Sequence, residues 1–376
     1  MSSNLMNAFE DQIDNLIALL QDFVERESPS TDKQALDAFG SYVAERMHSL
    51  GAEIEHFTQE KQGDHWIGRW GNGPGGILLL VHLDTVYPMG TLATMPWHQD
   101  ETHVYGPGSL DMKASLAIAL TVIDHLRKES NLRSDRISLL CSSDEEIGSL
   151  SSRALIESQA KEHALVLCLE PALPDGSLKT WRKGILNFQL EATGKAAHAG
   201  SDINAGTNAI IEIAHQIPAI LRLSDDSAGT TINIGVIQGG SRSNVVPELC
   251  TLQVDVRAKT KDEGERVLHA IQGLAPVLEG ADLMIRAGWN RPPMERDHLM
   301  QATFKRAVEI AGRLGVTLTE GGTGGGSDAN FVAGLGVPVL DGLGAIGTGA
   351  HSERERVEIR PLAGRCGLLA GLISEW

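Results

Sequence analysis

Residues 77–83 read Ile-Leu-Leu-Leu-Val-His-Leu and are followed by Asp84. A run this short and this apolar reads as a strand covered on both faces, because a strand with one wet face alternates. Two further runs of the same kind lie at 137–141 and 165–169, and helical patterns occupy 111–129 and 150–160. Strands alternating with helices confine the chain to an α/β layer with helices on both faces of the sheet. Each apolar run ends on acids or a histidine: His82 and Asp84, then Asp144-Glu145-Glu146, then Glu170. The carboxyl ends of the strands are where open α/β sheets bind their ligands.

The remaining elements divide the chain. Phe9, Ile13, Ile17, Leu20 and Val24 mark one face of a helix over 6–26, and a second helix ends at Gly51. Strands are expected at 53–57 and 65–70. After Trp181 the pattern alternates: Leu252, Val254 and Val256 point one way, Gln253 and Asp255 the other. Phe188, Leu190 and Ala192 behave alike, as does 230–237, with helices expected at 208–223 and 261–278. Strand-helix-strand-strand-helix-strand with one wet sheet face describes a small α+β domain. It is placed at 183–291, inserted into a larger domain formed by 1–182 and 292–376. The α/β features resume as a helix at 299–314, a strand at 338–340 and a helix at 362–374. A length of 376 residues suits two cores better than one.

The formal net charge of −17 excludes nucleic acid and anionic membrane surfaces as partners, since both require a basic face. No apolar run is long enough to span a bilayer. The first residues show no basic n-region or apolar h-region, so no signal peptide is expected and the location expected is cytoplasmic. Cys141, Cys168, Cys250 and Cys366 are scattered without CxxC spacing, as buried thiols of a reducing compartment would be.

Taken one at a time, the polar segments have ordinary readings. In an extended chain i and i+2 share a side, so Asp84 can accept from the second nitrogen of His82, and that pair can be purely structural. Asp111, after Tyr105-Gly106-Pro107-Gly108-Ser109-Leu110, reads equally as a helix first-turn acid. Three consecutive acids at 144–146 cost little on a surface and need cations in a site. Glu170 follows a buried strand directly, where an unpaired charge is costly. His351 lies in a glycine-rich loop able to reach such a site.

Taken together and in order, these stretches resemble the M20 family of metallopeptidases, most closely its glutamate-carboxypeptidase-like branch. Acetylornithine deacetylase, succinyl-diaminopimelate desuccinylase and aminoacylase are wider relatives. The resemblance rests on HLDTVYP (82–88), YGPGSLDMK (105–113), SSDEEIGS (142–149), LEP (169–171), GKAAHAG (194–200), SNVVP (243–247), DVRA (255–258), TGGGSDANF (323–331) and GAHSERE (349–355). It implies a zinc-peptidase domain with a mixed, mostly parallel sheet flanked by helices, plus an inserted ferredoxin-like lid and dimerisation domain. It further implies two Zn²⁺ per subunit, with Co²⁺ or Mn²⁺ as substitutes. His82 and Glu170 would hold one ion, Glu146 and His351 the other, and Asp111 would bridge them, with a cis Asp111–Met112 peptide. Asp84 would orient His82. The first shell then keeps about one positive charge, which would lower the pKa of a water between the ions toward ~7. Glu145 would be the general base that takes its proton.

His198 is the oxyanion candidate, which in dimeric relatives reaches the neighbouring subunit; a homodimer through the insert is expected. Arg257 and Arg291 match positions near a substrate carboxylate, Asn244 a polar lid residue, and the amides around Gly325 could donate to a carboxylate. The glycine run lacks the ending of a phosphate-binding loop. The expected reaction is hydrolysis of the amide bond of a peptidyl or N-acyl C-terminal amino acid, glutamate-like by first choice. An N-acyl-amino-acid deacylase is the alternative enzyme. A non-catalytic ligand-binding relative is disfavoured, because all five ligand positions and Glu145 are present.

Overall fold

The three apolar runs are the centre of an eight-stranded sheet. In chain order the strands are β1 (Glu53–Phe57), β2 (His65–Trp70), β3 (Ile77–His82), β4 (His98–Gln99), β5 (His103–Tyr105), β6 (Ile137–Ser142), β7 (Leu165–Cys168), β8 (Leu178–Arg182), β9 (Gly184–Thr193), β10 (Ala197–His198), β11 (Thr231–Gly239), β12 (Val245–Val246), β13 (Leu249–Ala258), β14 (Asp282–Arg291), β15 (Glu320–Thr323), β16 (Val339–Asp341), β17 (Gly347–Thr348) and β18 (Arg356–Glu358). The large sheet has the order β1-β2-β6-β3-β7-β16-β8-β15. Its four central strands β6, β3, β7 and β16 run parallel. β3, β6 and β7 are buried along their whole length, which is why they read as unbroken apolar runs. This computed structural model describes residues 8–73, 75–129 and 136–376.

The chain divides into two compact units, Met1–Trp181 with Arg296–Thr323 and Ser327–Trp376, and Arg182–Glu295 with Gly324–Gly326. The smaller unit starts one residue before the expected 183, runs on past 291 to Glu295, and takes in three glycines from far along the chain. Arg182 explains the shift. Its amide and carbonyl bond to those of Met294, and its Nη1 donates to the carbonyls of Gly325 and Gly326 at 3.3 and 3.0 Å.

In the larger unit, helices Ile13–Val24, Lys33–Ser49, Ala114–Lys128, His298–Arg313 and Leu362–Glu375 supply the layers around the sheet, and their apolar faces share one core with it. Asp32 and Asp297 cap two of them by accepting from Ala35 N and Met300 N at 3.0 and 2.8 Å. Gly51 ends the second helix at φ 80°, where a side chain would be strained. In the smaller unit, β11-β13-β9-β14 form an antiparallel sheet in the ferredoxin-like order. Helices Ala209–Leu221 and Lys261–Gln272 cover one face through Ile213, Ile220, Val267 and Ile271. The second is shorter than the expected 261–278. Gly273 and Pro276 interrupt it, and the Glu212 carboxylate takes the amides of Val277 and Leu278 instead.

Two expectations change in ways that matter for the site. Residues 109–113 form a wide turn, and the regular helix begins only at Ala114. Asp111 has φ −111° and ψ 93°, far from helical, and the Asp111–Met112 peptide is cis. A small sheet, β17-β18-β5-β4, is the other addition. Its strands are two or three residues long, too short to leave a periodic signal. Among the described residues, no helix is long and apolar enough to cross a membrane. All four cysteines are buried and unpaired as disulfides.

Candidate metal centre

Strand register delivers the first residues. β3 pairs in parallel with β7 so that Leu80 lies opposite Cys168. Two residues further along each chain stand His82 and Glu170, and His82 Nε2 is 3.8 Å from Glu170 Oε1. On its other side β3 pairs with β6, His82 opposite Ser142. The chain leaving β6 then turns through Glu145–Ile147 in one short 3₁₀ turn.

The small sheet delivers the rest. β18 pairs with β5, Arg356 opposite Tyr105. β5 leads into the wide turn with Asp111, and the β17–β18 hairpin carries His351. His82 Nε2 lies 3.1 Å from Asp111 Oδ1, and His351 Nε2 lies 3.2 Å from Asp111 Oδ2 and 3.1 Å from Glu146 Oε1. The two oxygens of one carboxylate therefore face two different imidazoles. On the same ring nitrogens, Glu170 stands beside His82 and Glu146 beside His351. His82, Asp111 and Glu146 also offer atoms within 4.8 Å of one another.

Those spacings suit metal ions. Around a tetrahedral ion with bonds of ~2.0 Å, neighbouring ligand atoms stand ~3.3 Å apart. Two imidazoles and three carboxylates are also the borderline and hard donors that zinc and its first-row neighbours take. Electrostatics agrees. Burial opposes charge on His82, yet hydrogen bonds to Asp111 and Asp84 hold its pKa well above the ordinary value. Hydrogen bonds to Asp111 and Glu146 push His351 up to about 10. Burial raises the Glu146 carboxyl, helped by the charge of Asp111, while the two histidines hold Asp111 low against its own burial. Acids gathered this tightly favour positive charge among them, whether as protons on the imidazoles or as a metal ion in their place.

Asp84 differs from the sequence expectation. His82 Nδ1 lies 2.9 Å from the main-chain oxygen of Asp84, and 3.5 Å from its carboxylate. The carboxylate accepts from the amides of Glu145 and Glu146 at 3.1 Å each and from Ser30 Oγ at 2.8 Å. It thus holds the acid-bearing turn, while its carbonyl fixes the imidazole tautomer. The three acids separate in role. Asp144 is buried and accepts from the amide and hydroxyl of Ser151 at 2.6 and 2.7 Å, ahead of the Arg153–Lys161 helix. Glu146 faces His351, and Glu145 is partly exposed beside it.

Other groups were not legible in advance. Asp328 is buried and accepts from Ser142 Oγ and Ser149 Oγ at 3.2 and 2.5 Å, bracketing the acid turn from both ends. Glu355 is buried behind Asp111, and burial pushes its carboxyl up to about 7 against the bonds it accepts. Both lie inside stretches that the resemblance draws on, but nothing in their spacing distinguishes them from neighbouring acids. His351 sits at φ 61°, a left-handed conformation costly for a residue with a side chain. Gly349 precedes it at φ 85°, where a Cβ would collide with the Arg354 carbonyl.

The remaining candidates lie in the smaller unit. β10 pairs with β12, His198 opposite Val245, and Ala199 N donates to Asn244 O at 3.1 Å. His198 and Asn244 therefore share one exposed ribbon. His198 Nδ1 accepts from the amides of Gly200 and Ser201 at 3.1 Å each, which leaves the proton on Nε2 as an outward donor. Arg257 forks onto Asp255 of its own strand at 2.7 and 3.0 Å. Arg291 is 2% exposed at the end of β14. Gly326 runs against it so closely that a Cβ would stand 2.9 Å from Arg291 Cδ and 2.7 Å from Ile185 Cδ1. Gly325 is held beside it through its carbonyl by Arg182.

Residues 78–375 match peptidase family M20/M25/M40. The chain is 31% identical to carboxypeptidase G2 of Pseudomonas sp. strain RS-16, over 99% of this chain and 91% of that protein. It is 25% identical to a succinyl-diaminopimelate desuccinylase of Thioalkalivibrio sulfidiphilus, over 95% and 97%. Among solved structures, aminopeptidase PepT of Bacillus cereus superposes with a TM-score of 0.78 at 22% identity, covering 96% of this chain and 98% of that one. The M20 metallo-carboxypeptidase Sso-CP2 of Sulfolobus solfataricus superposes with a TM-score of 0.74 at 17% identity, covering 96% and 99%. The chain therefore belongs to peptidase family M20/M25/M40 and is a hydrolytic enzyme of the metallopeptidase and amidohydrolase kind.

Proposed function

We propose that this enzyme hydrolyses the amide bond that joins a C-terminal amino acid with a free α-carboxylate to a peptidyl or acyl group, with glutamate-like residues preferred. The observation that carries the metal-dependent part is Asp111, whose two oxygens face His82 and His351 at 3.1 and 3.2 Å. His82 and Glu170 would hold one Zn²⁺, Glu146 and His351 the other, and Asp111 both. When bound, the metal pair supplies Lewis acidity for the amide carbonyl and for water.

Glu145 is the proposed general base. It is partly exposed next to the proposed ligand Glu146, and it takes the proton from the attacking water and returns it to the leaving amine. His198 Nε2–H is the proposed donor to the developing oxyanion. Arg291, with Asn244 and the amides around Gly325, is assigned to the substrate carboxylate. A rigid guanidinium fork fits that group. Arg257 is the weaker candidate, since Asp255 already takes its fork. The glutamate preference rests on the resemblance of HLDTVYP (82–88), the GPG at 106–108, the glycine-rich stretch at 323–329 and the RPP at 291–293 to the glutamate-carboxypeptidase-like branch. The similarity to carboxypeptidase G2 supports the carboxypeptidase part of the reading. We also assign the homodimer contact to the smaller unit. β11 is an edge strand with Val236 and Ile237 41% and 51% exposed, and Ile211 on the adjoining helix is 46% exposed.

The test is a panel assay on chelator-stripped and zinc-restored enzyme. Folate-like and dipeptide substrates ending in glutamate are compared with N-acetyl amino acids. Turnover of the first set only after metal restoration supports the reading. Turnover of acetylated amino acids alone moves the enzyme to the deacylases, and turnover without metal refutes the assignment of the centre.

A further inference from the structure

We propose that Glu355 is a positioning residue that sets the orientation of Asp111 for metal binding, acting through backbone amides rather than by touching metal. The inference rests on the metal reading above. Glu355 is fully buried, and both its oxygens are engaged. Oε1 accepts from the amides of Leu110 and Asp111 at 2.7 and 2.9 Å. Oε2 accepts from the amide of Gly108 at 3.0 Å and from Tyr87 Oη at 2.6 Å. Four donors fill the four lone-pair sites of one carboxylate.

The three amides belong to the wide turn that presents Asp111 and to Gly108 just before it. Asp111 and Met112 lie outside helical geometry. The amides of Ser109 and Lys113 find main-chain acceptors in Gly106 and Gly108, and Glu355 supplies the acceptors for those of Gly108, Leu110 and Asp111. The fourth donor links a second segment. Tyr87 Oη also lies 3.0 Å from Ser352 O, next to His351, and Glu355 N donates to that same carbonyl at 3.1 Å. Glu355 itself sits immediately before β18, whose pairing with β5 fixes its main chain. One carboxylate therefore ties together the chain after His82, the turn of Asp111 and the loop of His351. A neutral side chain of the same shape cannot do this. A carboxamide at 355 offers one acceptor oxygen and turns an NH₂ toward either Gly108 N–H and Tyr87 O–H or the pair of amides at 110 and 111.

The test measures zinc affinity of the metal-free protein by competition with a chromogenic chelator, together with kcat and KM of the zinc-loaded enzyme. E355Q is expected to weaken zinc binding on the order of 10–100-fold, the range for loss of a group that orients a ligand. It is expected to lower kcat while KM stays within about twofold. Y87F removes one donor of the four and is expected to weaken zinc binding by only a few-fold. I373A, in the Leu362–Glu375 helix, serves as a variant destabilised away from the site, with zinc affinity expected to match wild type. Equal affinity in E355Q and wild type overturns the proposal, as does an equal loss in I373A. Should E355Q fail to fold, unchanged zinc affinity in Y87F overturns it. If the wild-type chain binds no zinc, the metal reading itself fails and this inference falls with it.

Discussion

The clearest energetic test of the centre is Asp84, because its carboxylate is fully buried and its three donors are all identified. Replacing it with asparagine keeps the shape and leaves one acceptor oxygen. That oxygen can serve the amide of Glu145 or that of Glu146, but not both, and the other amide then faces an NH₂. Ser30 loses little, since its hydroxyl can turn to the Thr85 carbonyl at 3.2 Å. One lost bond to a charged acceptor is worth about 2 kcal/mol. Alanine orphans both amides and should cost about 4 kcal/mol at 1–3 kcal/mol per unsatisfied group, with packing loss added. Because the lost bonds hold the turn carrying Glu146, a share of the penalty should appear in zinc affinity; 2 kcal/mol corresponds to roughly 30-fold. The assays are urea unfolding of the metal-free chain and chelator competition for zinc. If D84A costs less than about 1 kcal/mol, or is no worse than D84N, Asp84 does not hold the acid turn.

E145Q should bind zinc normally and lose about 10²–10⁴-fold in kcat, the usual worth of a general base; a near-normal rate would remove Glu145 from that role. His163 is 6% exposed, bonded to Gln159 O and Ser138 Oγ at 2.7 and 2.9 Å, and burial lowers its pKa from 6.5 to about 4. The unfolded chain therefore binds more protons between those values, so stability is full above pH 6.5 and declines as pH falls toward 4, by at most about 3 kcal/mol. H163Q should flatten that acid limb in urea titrations at stepped pH, and an unchanged slope would contradict it. G326A should push Ile185 and Arg291 apart, cost about 1–3 kcal/mol, and raise KM more than it lowers kcat; unchanged KM would argue against Arg291 as the carboxylate contact.

What the sequence discloses here follows from how strongly each structure is written into side-chain type. β3, β6 and β7 are buried on both faces, so composition alone marks them, and their shared direction fixes where His82 and Glu170 emerge. The inserted sheet is equally plain because one face is wet. The β17-β18-β5-β4 sheet is not, since two-residue strands carry no period, and with it goes any direct argument for why His351 meets Asp111. The wide turn at 109–113 is hidden too, because an acid before an apolar helical stretch is normally a first-turn residue. Residues 144–146 are three acids in a row, and only hydrogen bonds separate Asp144, which takes the amide and hydroxyl of Ser151, from Glu146, which faces His351. For Arg257 the i, i+2 rule that pairs His82 with Asp84 applies just as well to Asp255, and the structure shows that pair. For Asp84 the same rule finds the partner residue and brings its carboxylate to 3.5 Å from His82 Nδ1, while the shorter contact, at 2.9 Å, goes to the main-chain carbonyl, which alternation of side chains says nothing about.

The division of Asp111 between two imidazoles has a consequence for the order in which the protein can become functional. His82 comes from the first quarter of the chain and His351 from near its end, and the hairpin bearing His351 is held by pairing with β5 and by the bonds of Glu355 and Tyr87. Long-range closures of this kind come late in folding, because the entropy of closing the loop must be met before contacts reward it. If the proposed ligands hold the metal pair, a chain in which that strand pairing has not yet formed would offer only part of the set, and the complete set would exist only once β18 has closed on β5.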